Sequence, residues 1–251
     1  MLVKEACALR EARERRARGM TIIDGAREIG RAMEARLPLD KVFYVKGRQE
    51  ALLKRLSAAK IETIEVSGKV MEKLAYGGRH DGVVALATIP HIALKDLKLS
   101  ARPLVVVLES LEKPGNLGAV LRTCDAVGVE AVLVCDLQTD IYNPNVIRSS
   151  TGVVFKIPVV CGASEEIFSF LKNNKIKICA CVPAASQSYT GVDFKQAWAL
   201  VLGSEEAGLS GFWLPAADTT VKIPMKGLAD SLNVSIAAAV ILYEALRQRQ
   251  N

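Results

Sequence analysis

Residues 223–247 read IPMKGLADSLNVSIAAAVILYEALR, which predicts a loop followed by a helix. From Leu232 to Tyr243 apolar residues recur every three or four positions, the spacing of one helix face. Asp230 or Ser231 stands where a short polar side chain caps a helix by accepting a backbone N–H bond. The segment therefore predicts a capped C-terminal helix that begins near Leu232.

The first turn of this helix is unusually polar. Ser231, Asn233 and Ser235 place hydroxyl and amide groups where the first backbone N–H groups of a helix have no partner. Such a turn suits a small polar ligand. The alternative is a capped helix without a ligand, and this segment by itself does not decide between the two.

Upstream, short apolar runs alternate with helical patterns. Residues 104–108 (LVVVL) form a β-branched run typical of a strand buried on both faces of a parallel sheet. Similar runs continue to residue 223, and one of them, 153–158 (VVFKIP), is also predicted to be a strand. The second part of the chain thus predicts a parallel α/β sheet of about six strands, with helices on both faces.

The first part predicts a separate small α/β layer domain. Residues 1–19 have a helical pattern closed by Gly19, and four short strands alternate with helices up to residue 88. Residues 90–102 are expected to be a linker or a connecting helix.

The chain has 251 residues and its charge is uneven. Residues 1–100 carry 20 Lys and Arg against 13 Asp and Glu, whereas residues 101–251 carry 13 against 14. A basic excess confined to the first part indicates a polyanionic partner such as nucleic acid. The alternative is a solvated basic helix. There is no apolar run of 18 residues and no signal-peptide core at the start, so we expect a cytoplasmic protein without a membrane partner.

Several classes of site are disfavoured by the motifs. The first strand of the second part is not followed by the G-x-G-x-x-G of a dinucleotide site, and neither a P-loop nor a G-x-S-x-G elbow occurs. Six scattered cysteines form no C-x-x-C pair, so no metal site is expected.

Three polar, glycine-containing loops stand out instead. They cover residues 109–122, 202–208 and 223–235, and each follows the carboxyl end of a predicted strand. Open α/β sheets bind their ligands at that edge. Any α/β sheet has such loops, so their order along the chain is the informative feature.

These loops resemble the three motifs of the SpoU/TrmH family of RNA ribose 2′-O-methyltransferases, in the SPOUT superfamily. The matching stretches are NLGAVLRTCD at 116–125, LGSEEAGLS at 202–210, and IPM with SLNVS between 223 and 235. Residues 20–88, with IIDGA at 22–26 and HDG at 80–82, resemble the L30e-like substrate-binding domain that often precedes them. The second motif departs from the family pattern because Glu206 stands where glycine is usual.

The resemblance implies a fold and an activity. The fold would be a deep trefoil knot in residues 98–251, preceded by an RNA substrate-binding domain in residues 1–97. The cofactor would be S-adenosylmethionine, and the substrate ribosomal RNA, with transfer RNA as the alternative. Two subunits would form a homodimer through their knotted domains and complete each site together.

The resemblance also implies roles for individual residues. The catalytic set would be Arg122, Asn116, Glu205, Ser231 and Asn233. The cofactor contacts would be Leu202, Gly203, Ser204, Ile223, Met225, Leu232, Asn233 and Val234. Arg148 and Arg27 would contact the RNA. Because arginine is a poor base at its ordinary pKa, we expect Arg122 to stabilise the ribose alkoxide and to anchor a phosphate.

Three alternatives stay open. The alternative for Arg122 is a helix-surface arginine paired with Asp125. The protein as a whole is either a methyltransferase or a non-catalytic RNA-binding protein that keeps only the fold. A third reading is a knotted enzyme that methylates a base nitrogen, although the Asn116, Arg122, Ser231 and Asn233 pattern disfavours it.

Overall fold

The computed structural model describes residues 2–76, 81–137 and 139–250. Its strands are β1 (Met20–Asp24), β2 (Leu39–Tyr44), β3 (Glu62–Glu65), β4 (Val83–Thr88), β5 (Leu104–Glu109), β6 (Ala131–Cys135), β7 (Val159–Gly162), β8 (Lys177–Cys181), β9 (Gln187–Ser188), β10 (Trp198–Leu202) and β11 (Thr219–Lys222). Its α-helices are α1 (Leu2–Ala8), α2 (Ala12–Arg18), α3 (Ala26–Glu34), α4 (Glu50–Ala58), α5 (Gly68–Leu74), α6 (Pro114–Val127), α7 (Pro144–Ser149), α8 (Ser164–Asn173), α9 (Trp213–Ala216) and α10 (Val234–Gln250). His80, part of the predicted HDG match, lies outside the described residues.

The chain divides into two compact units. The first unit combines Met1–His91 with Asp140–Lys156, and the second combines Ile92–Thr139 with Ile157–Asn251. Each unit is built around one sheet. Among the described residues, no helix is both long and apolar enough to cross a membrane.

The first unit contains a four-stranded sheet in the order β1-β4-β2-β3. β4 pairs antiparallel with β1 and β2, and β2 pairs parallel with β3. The prediction of one helix over residues 1–19 is wrong, since α1 and α2 are separate helices. The buried Arg15 donates from Nη1 to the carbonyls of Leu9 (2.8 Å) and Arg10 (2.6 Å). These two carbonyls lie between α1 and α2, where the helix is interrupted. Gly19 ends α2 with φ +62°, as its position predicted.

Residues 140–156 belong to the first unit through buried polar contacts. Thr21 Oγ1 donates to the carbonyl of Tyr142 at 2.8 Å. The buried Arg15 forms an ion pair with Asp140, with 2.6 Å between Nε and Oδ2. Breaking such a pair would leave a charge buried without its partner, which is strongly destabilising. The segment that contains α7 is therefore held firmly on β1 and α2.

The second unit contains a seven-stranded sheet in the order β7-β6-β5-β10-β8-β11-β9. Every neighbouring pair is parallel, as the apolar runs predicted. β5, β6 and β10 are fully buried. The two-residue strand β9 was not predicted, because only its pairing with β11 makes it a strand.

The strand predicted over residues 153–158 is wrong. Val153–Phe155 is a 3-10 helix, and β7 begins only at Val159. Thr151 and Gly152 have φ +55° and +83°, so the chain turns sharply just before the apolar run. Val153 and Val154 are buried in that turn without joining a sheet, and buried turns and buried strands have the same apolar pattern.

Candidate functional site

A cavity of about 280 Å³ lies at the carboxyl ends of β8, β10 and β11. Three stretches of the second unit form its walls. They are Cys181 to Pro183, Leu202 to Leu209, and the loop after β11 up to Ala237 on α10. Two of these stretches are loops that the sequence singled out, and the cavity therefore lies at the predicted edge of the sheet.

Seven of the eight residues predicted to hold a cofactor line this cavity. They are Leu202, Gly203, Ser204, Ile223, Met225, Leu232 and Val234. The eighth, Asn233, takes part in the polar network described below. Glu206, the departure from the family pattern, also lines the cavity and adds a carboxylate to its wall.

The loop after β10 folds back tightly on itself. Ser204 and Gly208 exchange two backbone hydrogen bonds of 3.1 Å each. The loop passes so close to Gly203 that a Cβ there would lie 2.1 Å from the carbonyl oxygen of Gly208 and 2.4 Å from the nitrogen of Leu209. Both neighbours are backbone atoms, so only glycine fits at this position.

Three of the predicted catalytic residues form one hydrogen-bonded network. Asn116 Nδ2 donates to Glu205 Oε1 at 2.9 Å. Asn233 Nδ2 donates to the same oxygen and lies 3.3 Å from Asn116 Oδ1. The residues come from α6, the loop after β10 and the start of α10. Asn116 and Glu205, with Ser204 and Glu206, also line a smaller cavity of about 70 Å³.

Lys113 completes this network and was not predicted. Its Nζ lies 3.0 Å from Glu205 Oε2, so both carboxylate oxygens of Glu205 accept hydrogen bonds. The bond from Lys113 is the largest cause of a lowered Glu205 pKa, while burial acts in the opposite direction. The same bond raises the pKa of Lys113. The charged forms of both residues are therefore favoured.

We expect Lys113→Gln to raise the pKa of Glu205 toward the ordinary carboxyl value of about 4.3. A lowered folded-state pKa keeps the carboxylate charged even somewhat below its ordinary pKa. The charge is lost only as the pH falls through the lowered value. The titration midpoint of Glu205, followed by carboxyl-carbon NMR, should therefore move upward in the variant. Lys172→Gln, which removes a lysine paired with Asp218, is the matched control. An unchanged midpoint in Lys113→Gln would contradict the pairing.

Asn233 caps α10. Its Oδ1 accepts from the backbone N–H of Ser235 at 3.0 Å, and its carbonyl accepts from Ala237 at 2.9 Å. The predicted helix start at Leu232, with Asp230 or Ser231 as the cap, is therefore wrong by two residues. The amide group of Asn233 thus has two roles, because its oxygen caps the helix while its nitrogen donates to Glu205.

Arg122 and Ser231 lie outside this network. Ser231 lines the larger cavity. Arg122 is exposed on α6, and its side chain makes no hydrogen bond or ion pair with the described residues. It follows Asn116 by six residues, which on a helix is roughly 9 Å along the axis and 120° around it. Within one chain, Arg122 therefore faces away from the Asn116 side of α6.

The two residues predicted to contact RNA both belong to the first unit. Arg27 lies on α3, and its guanidinium is bonded to Glu28, with 2.8 Å between Nη2 and Oε1. Its side chain is 60% exposed, so it remains accessible to a ligand. Arg148 lies on α7 and donates from Nη1 to the carbonyl of Tyr76 at 2.8 Å.

Glu109 is a buried carboxylate at the end of β5 that the sequence did not single out. Its oxygens accept from the backbone N–H of Ser210 at 2.7 Å and from Ser210 Oγ at 2.6 Å. Glu109 thereby ties the loop after β10 to the neighbouring strand. A cue was available, since a charged residue that closes a run of apolar ones needs a partner when buried.

We expect Glu109→Ala to lower the free energy of unfolding by about 1.5–3 kcal/mol, the usual range for a hydrogen bond to a charged group. Urea unfolding would measure it. Ser210→Ala, which removes only the hydroxyl and leaves the backbone bond, should cost less. Equal losses in the two variants would show that Glu109 does not hold the loop through its backbone bond.

Potential metal ligands meet at one place among the described residues, where Glu109, Cys135 and Asp136 lie close together. Glu109 already accepts two bonds from Ser210, and Asp136 Oδ2 accepts from Ser164 Oγ at 3.2 Å. These acidic groups are thus engaged with serines, and the expectation of no metal stays a prediction.

Two protein-family models match this chain. Residues 103–243 match the model of the SpoU rRNA Methylase family, and residues 1–85 match that of the MRM3-like substrate binding domain. The chain belongs to the SpoU methylase family. The resemblance drawn from the three motifs is therefore confirmed, and so is the α/β class with a parallel sheet.

Individual relatives cover nearly the whole chain. A 23S rRNA (uridine(2479)-2′-O)-methyltransferase of Streptomyces viridochromogenes is 32% identical over 96% of this chain and 88% of its own length. A crystal structure described as an RNA 2′-O ribose methyltransferase is 41% identical, with a TM-score of 0.88 over 100% of this chain and 96% of that one. The SpoU methyltransferase AviRb of Streptomyces viridochromogenes, in complex with AdoMet, is 30% identical with a TM-score of 0.92, over 100% and 98% of the two chains.

Proposed function

We propose that this protein transfers a methyl group from S-adenosylmethionine to a ribose 2′-hydroxyl of ribosomal RNA. One observation carries the proposal. In a member of the SpoU family, the second and third motif loops line one cavity, and the first supplies Asn116 to a hydrogen-bonded network with Glu205 and Asn233 beside it. Relatives named as 23S rRNA 2′-O-methyltransferases support the choice of ribosomal over transfer RNA.

The residues that line the cavity fit this cofactor. Leu202, Ile223 and Leu232 supply apolar surface suited to a flat base. The tight backbone around Gly203 allows close approach of the chain to a ligand. Glu206 adds a negative charge suited to a cationic ligand. When bound, S-adenosylmethionine supplies an activated methyl group on a positively charged sulfur.

The protein's own residues would then position the ribose and stabilise charge. Glu205, kept ionised by Lys113, orients the amide groups of Asn116 and Asn233 toward the substrate. Arg122 provides the positive charge that stabilises the 2′-alkoxide and binds the neighbouring phosphate. Ser231 lies at the cavity wall and donates to the substrate or the cofactor. Positioning of the two reactants supplies much of the rate.

The position of Arg122 supports a homodimer. Arg122 faces away from Asn116 within one chain, so a second copy is needed to bring an arginine to the network. α10 packs on α6. Ile236 and Tyr243 lie about two turns apart on one face of α10 and are 52% and 53% exposed. Exposed apolar side chains on one helix face are typical of an interface. Sedimentation equilibrium tests this, since a monomer at working concentrations would contradict it.

The remaining parts of the proposal concern the whole molecule. Residues 98–251 form a trefoil-knotted methyltransferase domain, and residues 1–97 bind the RNA, with Arg27 among the contacts. Arg148, on α7, adds a contact from the later part of the chain. The basic excess of residues 1–100 supports that role. The protein acts in the cytoplasm during ribosomal RNA processing.

Methylation of RNA from a strain that lacks the gene tests the activity. The RNA is incubated with the protein and methyl-labelled cofactor, then digested to nucleosides. We expect label on the ribose, and mapping identifies the nucleotide. Label on a base would favour the base-methylating alternative. Cofactor-independent RNA binding without any label would favour the non-catalytic alternative.

A further inference from the structure

A second cavity, of about 520 Å³, borders the amino-terminal edge of the sheet in the second unit. Its lining residues are Ser100, Ala101, Arg102, Lys195, Gln248 and Arg249, and we call it the basic cleft. Residues 100–102 precede β5 and Lys195 precedes β10, the two neighbouring strands at the centre of the sheet. The cavity of about 280 Å³ at the other end of the strands is called the methyl-transfer cavity below. β5 is six residues long, so the basic cleft is roughly 20 Å from it.

Arg249 forms a fixed positive charge in the basic cleft. Its guanidinium donates to the carbonyls of Phe194 (2.9 Å), Arg102 (2.8 Å) and Gln196 (2.7 Å). It forms no ion pair with a carboxylate in the part of the chain that the structure describes. Burial is the main cause of a lowered Arg249 pKa. The carboxylate of Glu130 acts in the opposite direction, and the nearby positive charge of Arg102 lowers the pKa further.

Two more cations in the basic cleft have free side chains. Arg102 and Lys195 are exposed, and neither side chain makes a hydrogen bond or ion pair with a described residue. The nearby carboxylates are already engaged. Glu130 accepts from the N–H and the hydroxyl of Ser100, both at 2.7 Å, and Asp193 accepts from the backbone N–H of Lys195 at 3.0 Å.

The cations continue along the same edge of the sheet. Lys177 opens β8, the strand next to β10, and its Nζ lies 5.6 Å from the ring centre of Trp198. Residues 101–251 as a whole carry 13 Lys and Arg against 14 Asp and Glu. The clustering is therefore local and does not follow from an overall basic charge. A local positive cluster in a near-neutral unit favours a specific anionic ligand.

We propose that the basic cleft binds a phosphate of the RNA backbone, at a second contact far from the reacting ribose. The inference rests on the proposed function, because that function supplies the RNA. Arg102 offers the planar donors that match a phosphate, and Lys195 offers a mobile ammonium beside it. Arg249 attracts the anion without leaving its carbonyl partners. Such a contact positions the RNA and reads no base.

The test is the salt dependence of RNA binding by the double variant Arg102→Gln, Lys195→Gln. Binding to purified ribosomal RNA and to a short single-stranded RNA is measured between 50 and 200 mM salt. Loss of two phosphate contacts should reduce the slope of log K against log salt by about 1.4, so that the loss of affinity over this range is about sevenfold smaller than in the wild type. The KM for RNA should rise in parallel.

The matched control is Arg247→Gln, Lys172→Gln. It removes the same charge from one arginine and one lysine of the second unit that already have carboxylate partners, Glu244 and Asp218. A wild-type slope in the cleft variant, or an equal change in the control, would overturn the cleft proposal. Absence of methyl transfer by the wild type would instead overturn the proposed function, because the slope is read from binding alone. Thermal unfolding verifies that both variants are folded.

Discussion

Arg122→Ala is expected to abolish detectable methyl transfer, with a loss of about 10²–10³-fold or more, the range seen when one stabilising donor is removed from a reacting oxygen. The ribose 2′-hydroxyl is very weakly acidic, and its alkoxide needs a nearby positive charge. Arg122 is exposed and makes no hydrogen bond with the described residues, so its loss should leave the fold intact. Single-turnover rates with labelled cofactor measure the effect.

Binding of S-adenosylmethionine separates this role from a structural one. Arg122 does not line the methyl-transfer cavity, so the Kd of the cofactor, measured by calorimetry, should be unchanged in Arg122→Ala. Arg122→Lys keeps the charge but loses the planar donors, and an intermediate rate is expected. Near-normal turnover in the alanine variant would refute the assignment of Arg122.

Gly203→Ala is expected to have the second large effect, on the cofactor cavity itself. The added Cβ would lie 2.1 Å from the carbonyl oxygen of Gly208, so the loop must move. Overpacking of this kind usually costs about 1–3 kcal/mol. We expect this cost to appear as weaker binding of S-adenosylmethionine, measured by calorimetry, as a lower free energy of unfolding, measured in urea, or as both.

Gly211→Ala is the matched control in the same loop. A Cβ at Gly211 meets no atom within 4 Å, and its φ lies outside the left-handed region. The control should therefore bind the cofactor like the wild type. If both variants behave alike, the close approach of Gly208 to Gly203 does not shape the cavity.

Local sequence predicted most elements because each depends on nearby residues. The run at 104–108 became β5, and the C-terminal segment forms the helix α10 that its apolar spacing indicated. The failures have a common cause. The apolar run at 153–158 is buried in a turn, and the segment at 1–19 breaks where Arg15 takes up freed carbonyls. A hydrophobic pattern predicts which residues are buried, but it does not predict which groups their backbone will hydrogen-bond to.

Some residues of the candidate site were predicted from the sequence, and others were found only in the structure. Motif residues identified Asn116, Glu205 and Asn233, and the structure brings all three together. Lys113 and Glu109 were missed because their partners are 92 and 101 residues away along the chain. A local sequence pattern does not show which distant residues form a pair. A resemblance to family motifs indicates such pairs only for the positions that the motifs include.

The sequence by itself determined the parallel sheet, the three loops at its carboxyl edge and the identity of their polar residues. These follow from short-range periodicity and from residue types that allow close backbone approach. Only the tertiary structure decided which side chains meet. It joined Lys113 to Glu205, turned Asn233 into the cap of α10, and left Arg122 facing outward. Residues 223–235 form a cavity wall because the sheet brings β8, β10 and β11 together, and contacts between distant residues form only when the whole unit packs.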